Sequence, residues 1–217
     1  TGSHGKTTTS SLISSVLENA NFDPTTIIGG IVNKYKSTTR IGKSNWMVVE
    51  ADESDGSLVN LFPKIAVITN VNKEHMDFYK TYVNLKKYFF YFINNIPFDG
   101  VAIYCRDNLD LKDLISKSKK KNKISYGFEK GSDVRATNIL INEKGSFFDI
   151  NIKKTNLLRK ETIKKVRLNI LGKHNIQNSL AAVTVAKILN INTVDLKNAF
   201  KKFDGVKRRF TLVCNFK

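Results

Sequence analysis

Thr1-Gly2-Ser3-His4-Gly5-Lys6-Thr7-Thr8-Thr9 decides the reading of this chain. Glycines let backbone N–H groups approach phosphate oxygens. A following lysine supplies a point charge near the β and γ positions of a triphosphate, and a following threonine offers a hydroxyl to a magnesium ion. Gly2, Ser3, His4, Gly5, Lys6, Thr7 and Thr8 are therefore candidate nucleotide-binding residues, with Thr7 as a candidate metal ligand. Leu12, Ile13, Val16, Leu17 and Ala20 form one apolar stripe at helical spacing. That places a helix after the loop, with its positive end aimed at the same anion. The full loop pattern carries another glycine, which falls one residue ahead of Thr1. The expectation is that the chain starts inside its own motif and lacks the strand that feeds the loop.

Outward from this loop, the first half alternates apolar runs with helical patterns. Strands are predicted at 46–50, 65–70 and 101–105, and a helix at 82–94 ended by Pro97 and Gly100. Leu85, Tyr88, Phe89, Phe92 and Ile93 give that helix its inner face. From Asp133 to Leu171 the texture becomes extended. A hairpin, 134–141 and 146–152 around Asn142-Glu143-Lys144-Gly145, is followed by a third strand at 166–171. Two helices, 174–189 and 194–203, and a last strand, 210–214, complete the pattern. The predicted fold is α/β, a mostly parallel sheet flanked by helices, of the phosphate-loop type, with a small antiparallel subsheet, all in one domain over 1–217.

At 217 residues and 41% apolar composition the chain can bury a core. Its 36 Lys+Arg against 19 Asp+Glu give a net charge of +17. The basic residues are scattered, and the one dense run, Lys117 to Lys123, has no interleaved aromatics, so it reads as a solvated helix end or loop. No specific nucleic-acid partner is expected. A nucleotide-regulated, nucleic-acid-associated ATPase is the alternative that the charge suggests, and its binding would weaken steeply with salt. Cys105 and Cys214 are too far apart for paired metal-ligand spacing and read as apolar thiols in a reducing compartment. No run of 18 apolar residues occurs, so no membrane partner and a cytoplasmic location are expected.

Four constellations carry chemistry. Glu50-Ala51-Asp52-Glu53-Ser54-Asp55 puts four carboxylates at the end of a buried strand, where a magnesium ion would offset their repulsion. Glu50, which directly ends the apolar run, is the best placed ligand. Thr69-Asn70-Val71-Asn72-Lys73-Glu74-His75-Met76-Asp77 offers His75 as a metal ligand or as polar surface, with Asp77 as a residue that could orient it. In Gly172-Lys173-His174-Asn175-Ile176-Gln177-Asn178, the amides of Asn175 and Asn178 suit an adenine edge, or serve as a helix cap. Arg208 and Arg209 are a candidate phosphate clamp, or plain surface charge.

In this order, these segments resemble the Mur ligase family, which drives amide formation in peptidoglycan precursors with ATP. The resemblance covers essentially the whole chain and matches the family's central, ATP-binding domain. It implies Lys6 on the β- and γ-phosphates, Thr7 and Glu50 on one Mg²⁺ and His75 on a second. It also implies Asn175 and Asn178 near adenine and Arg208 or Arg209 on phosphate, with Lys6, Glu50 and His75 as the catalytic set. Within the family the motifs look most like the members that join L-alanine to UDP-N-acetylmuramate. A tripeptide-recycling branch usually has Tyr where Ser54 stands. The domains holding the uridine nucleotide and L-alanine are expected before Thr1 and after Lys217. Ser3 stands where the family usually has Thr, and Glu74 where it usually has Asp. Phe89 falls where sister ligases carry a carbamylated lysine.

Overall fold

A computed structural model describes residues 1–207, so Arg208, Arg209 and the strand predicted at 210–214 lie outside the described residues. Six strands build the main sheet in the order β4-β5-β6-β7-β8-β9. They are β4 (Ile65–Ile68), β5 (Val101–Cys105), β6 (Lys123–Gly127), β7 (Val134–Asn142), β8 (Gly145–Ile152) and β9 (Glu161–Leu168). The first four run parallel; β8 and β9 continue the same sheet antiparallel. The predicted antiparallel subsheet is thus the far half of one sheet, and its third strand starts earlier than its apolar run suggests.

A separate three-stranded sheet, β2-β1-β3, comprises β1 (Thr25–Val32), β2 (Ser37–Arg40) and β3 (Met47–Val49). Only β3 carries the apolar run that marked it in the sequence. Gly29 and Gly30 interrupt β1, and β2 is polar. Helix α4 (Leu109–Lys117) and β6 were likewise unmarked, because a lysine run separates them. Lys123 donates to the carbonyls of Ile115 and Ser118 and so satisfies the end of α4.

The core lies between the main sheet and its helices α1 (Lys6–Asn19), α3 (Tyr82–Asn95) and α5 (Lys173–Ile188). Leu12 and Val16 of α1, Leu85 and Phe89 of α3, and Leu180 and Val183 of α5 are all buried in it. Phe89 is therefore packed core, with no role at a metal. The short α2 (Met76–Tyr79) follows β4, and α6 (Thr193–Lys202) packs on α1 and β9. Cys105 is buried, which pushes its thiol up to about 12.

Helix starts divide into two kinds. Thr81, Asn108 and Asn192 cap α3, α4 and α6 with side-chain oxygens. Helices α1 and α5 instead start at Gly5 and Gly172 with no side-chain cap, as the one-turn α2 does at His75. The glycine starts of α1 and α5 leave their first N–H groups without a side-chain acceptor, as a ligand-binding helix start requires.

Candidate nucleotide and metal site

The Thr1–Lys6 loop is held by the segment that leaves β4. Ser3 N–H donates to Asn70 O at 3.2 Å, and His4 N–H donates to the Asn70 side-chain oxygen at 2.8 Å. Thr69 and Asn70 side chains both donate to the His4 carbonyl. Ser3 accepts from Asn72 N–H at 2.9 Å, so a serine hydroxyl suffices where the family usually has threonine. Gly2 lies at φ 135, and a Cβ there would strike Thr69 and Asn70. Gly5 lies at φ 81, and a Cβ there would meet Asn178 Oδ1 at 2.6 Å. Both glycines are required by the loop's conformation.

Four carboxylates predicted as one cluster separate into two pairs. Glu50 and Glu53 turn inward. Asp52 and Asp55 face solvent, where they accept from the N–H groups of Ser54 and Ser57. The Glu50 carboxylate accepts from Thr7 Oγ1 at 2.8 Å and from Gly29 N–H at 2.7 Å. Thr7 and Glu50 thus place a hydroxyl and a carboxylate oxygen side by side, and oxygen donors suit a hard divalent cation.

Glu53, which sequence reasoning passed over, is wholly buried. Its two oxygens lie 3.0 and 2.8 Å from Lys6 Nζ, while Asp52 approaches the same nitrogen only to 3.8 Å. Tyr79 O–H donates to the Glu53 backbone carbonyl, and burial raises the pKa of that phenol. His75 Nε2 lies 3.5 Å from Glu53 Oε1. Glu53, Glu74 and His75 bring their ligand atoms within 4.8 Å of one another. Asp77 is exposed and is not part of this group. The carboxylates that come near His75 are those of Glu53 and Glu74. His75 itself adopts φ 54 at the start of α2, a conformation that L-residues reach at a cost.

A hollow of about 220 Å³ opens at the paired starts of α1 and α5. Gly5, Thr8, His174, Asn175, Asn178 and Val206 line it. Asn175 donates through its side chain to Leu171 O at 2.7 Å and anchors the first turn of α5. Asn178 lies beyond the cap position and turns its amide toward Gly5. The structure thus brings Gly2, Ser3, His4, Gly5, Lys6, Thr7, Thr8, Glu50, His75, Asn175 and Asn178 around one helix start. No helix among the described residues is long and apolar enough to cross a membrane.

Residues 1–186 match the family described as Mur ligase middle domain. The chain belongs to the Mur ligase family. The UDP-N-acetylmuramate--L-alanine ligase of Rhodospirillum centenum is 43% identical over 210 residues, which span 97% of this chain and 43% of that protein. The chain therefore spans less than half the length of this relative. The crystal structure of UDP-N-acetylmuramate-alanine ligase from Thermotoga maritima aligns with a TM-score of 0.83 at 22% identity, over 99% of this chain and 46% of that one. That of UDP-N-acetylmuramate:L-alanyl-gamma-D-glutamyl-meso-diaminopimelate ligase from Neisseria meningitides aligns with a TM-score of 0.82 at 26% identity, over 95% of this chain and 65% of that one.

Proposed function

We propose that this chain is the ATP- and Mg²⁺-binding domain of a cytoplasmic ligase that joins L-alanine to UDP-N-acetylmuramate, with the uridine nucleotide and the amino acid held by flanking domains. The observation that carries this reading is the pairing of Lys6 and Thr7, at an uncapped helix start, with Glu53 and Glu50. A free helix start favours a phosphate. The Thr7 and Glu50 oxygens suit a magnesium ion, which when bound would neutralise charge on the triphosphate. His75, with Glu53 and Glu74, would hold a second such ion. Asn178 and Asn175 would face adenine in the hollow beside Gly5, and Arg208 or Arg209 would reach phosphate. Support for the substrate choice comes from the 43% identity to a ligase named for those two substrates.

In this mechanism the lactyl carboxylate of UDP-N-acetylmuramate attacks the γ-phosphorus and ADP leaves, giving an acyl phosphate. The L-alanine amine then attacks the acyl carbon, loses a proton, and expels phosphate as the amide forms. Lys6 stabilises the charge on the transferring phosphoryl group, and the free N–H groups of α1 fix its oxygens.

The test is ATP-dependent phosphate release by the chain joined to its flanking domains. Release requires both UDP-N-acetylmuramate and L-alanine, and Lys6→Ala lowers turnover by at least ~10²-fold, a few kcal/mol of transition-state stabilisation. Near-normal turnover of Lys6→Ala, or release stimulated by a different amino acid, refutes the respective part of the proposal. Residues 1–217 alone bind ATP with Mg²⁺ and form no amide, since neither substrate is delivered. Amide formation by residues 1–217 would place the substrate sites within this chain.

A further inference from the structure

Asp107 lies just past the carboxyl end of β5, the end at which a parallel sheet presents its ligand-binding loops. Two elements share its carboxylate. Oδ1 accepts from Glu129 N–H at 2.8 Å and Oδ2 from Phe128 N–H at 2.8 Å, which fixes the turn that leaves β6. Oδ2 also accepts from Gln177 Nε2 of α5 at 2.6 Å. Gly127 makes room for this arrangement, since a Cβ there would lie 2.6 Å from both carboxylate oxygens. The turn has further holds of its own: Lys112 lies 3.1 Å from Glu129, and Arg135 donates to Phe128 O at 2.9 Å. Among the described residues, the Gln177 side chain has Asp107 as its one hydrogen-bond partner.

Gln177 stands between Asn175 and Asn178, the two amides beside the hollow at Gly5. Helix α5 starts without a side-chain cap, and the Asn175 bond to Leu171 O stays within that start. Neither fixes how the helix start is turned against the main sheet. The Gln177 bond does. Neighbouring residues lie about 100° apart around a helix, so a tie at Gln177 sets the direction of Asn178 without entering the hollow. The next residue along, Asn108, donates to Val71 O at 3.4 Å and to Asn72 Oδ1 at 3.3 Å, and Asn72 N–H in turn donates to Ser3 of the phosphate-binding loop. Asp107 and Asn108 thus refer both halves of the site to one strand end. We propose that Gln177 and Asp107 are positioning residues for nucleobase recognition: their bond holds Asn175 and Asn178 in the orientation an adenine edge requires, and so sets the preference for an adenosine nucleotide over a bare triphosphate. This rests on the reading of the hollow as the adenine site.

The experiment measures binding of ATP and of inorganic tripolyphosphate, each with Mg²⁺, to the chain joined to its flanking domains. Wild type prefers ATP. Gln177→Ala removes the donor, and Gln177→Glu sets two carboxylates against each other. Each weakens ATP binding by at least ~3-fold, the scale of one charge-assisted hydrogen bond, while tripolyphosphate affinity stays within about 1.5-fold and Tm within about 2 °C. Adding Asp107→Asn to Gln177→Glu restores a donor facing an acceptor and returns ATP affinity to within about 2-fold of wild type. Variants that weaken both ligands equally, or that lower Tm with ATP affinity intact, reduce the bond to a structural tie and overturn the proposal. So does a double variant no better than Gln177→Glu. A wild type that binds the two ligands equally refutes the adenine reading, and the proposal with it, before any variant is compared.

Discussion

Replacing Glu53 by glutamine tests the most charged contact in the site without changing its shape. Two unit charges about 3 Å apart interact by about 5 kcal/mol at an effective dielectric constant near 20, an upper bound on what is lost. Removing one partner of a buried pair costs about 3–5 kcal/mol, because the other charge is left uncompensated. Lys6 keeps a route to water, with 15% of its side chain exposed, and Asp52 remains 3.8 Å away. The expected loss is therefore about 2–3 kcal/mol, or a fall in Tm of about 5–10 °C for a chain of this size. Asp52→Asn, on a side chain 60% exposed, is the matched control, with a change within about 0.5 kcal/mol. Urea unfolding followed through the single tryptophan, Trp46, which lies 6.4 Å from Phe22, reports both. A Glu53→Gln variant that loses no more stability than Asp52→Asn would refute the reasoning and make Glu53 a spectator.

Glu50→Ala raises the Mg²⁺ concentration needed for half-maximal ATP binding by at least ~10-fold, since one of two paired oxygen ligands is gone; an unchanged magnesium titration rejects the assignment. Asn178→Ala weakens ATP binding several-fold with Tm nearly unchanged, whereas a lower Tm with intact ATP affinity would return Asn178 to a structural role. Gly5→Ala destabilises by about 2 kcal/mol through its left-handed backbone and the contact with Asn178 Oδ1, and the cost shrinks when combined with Asn178→Gly, as thermal melts of the double-mutant cycle read out. Tyr82 O–H donates to Asp110 at 2.6 Å and holds that carboxyl below its ordinary 3.8. A lowered folded-state pKa stabilises above 3.8 and loses its effect as pH falls through the folded value. The stability gap between wild type and Tyr82→Phe therefore stays constant above about pH 5 and narrows in acid; a gap independent of pH down to 2 contradicts the hydrogen bond's role.

Legibility in the sequence followed physical cause. Helices α1 and α3 were readable because their burial is one-sided, and β5 because it is buried along its length. Strands β1 and β2 were not, since Gly29, Gly30 and the polar Ser37–Arg40 carry no apolar signature, and β1 is held by pairing with β3. Lys6, Thr7 and Glu50 follow from local spacing around a helix start and a strand end. Glu53 does not: nothing local separates it from Asp52, and only the packing of Tyr79 and Lys6 around it shows which acid is buried. The pairing of His75 with Glu53 in place of Asp77 is likewise a tertiary fact, set where α2 lands against the loop that follows β3.

The site takes its parts from both sheets. Gly29 lies in the three-stranded sheet and Glu50 directly follows its β3, whereas Thr69, Asn70 and His75 follow β4 of the main one, and α1 lies between them. On the proposed function, a phosphate-bound cation held by such groups would work as a caliper across a seam, tightening only when the two sheets stand at the right separation and twist. Core substitutions that slide one sheet by an ångström would leave every side chain intact and still open the jaws. Screens for loss of nucleotide binding should accordingly recover changes along the seam as well as at the loop.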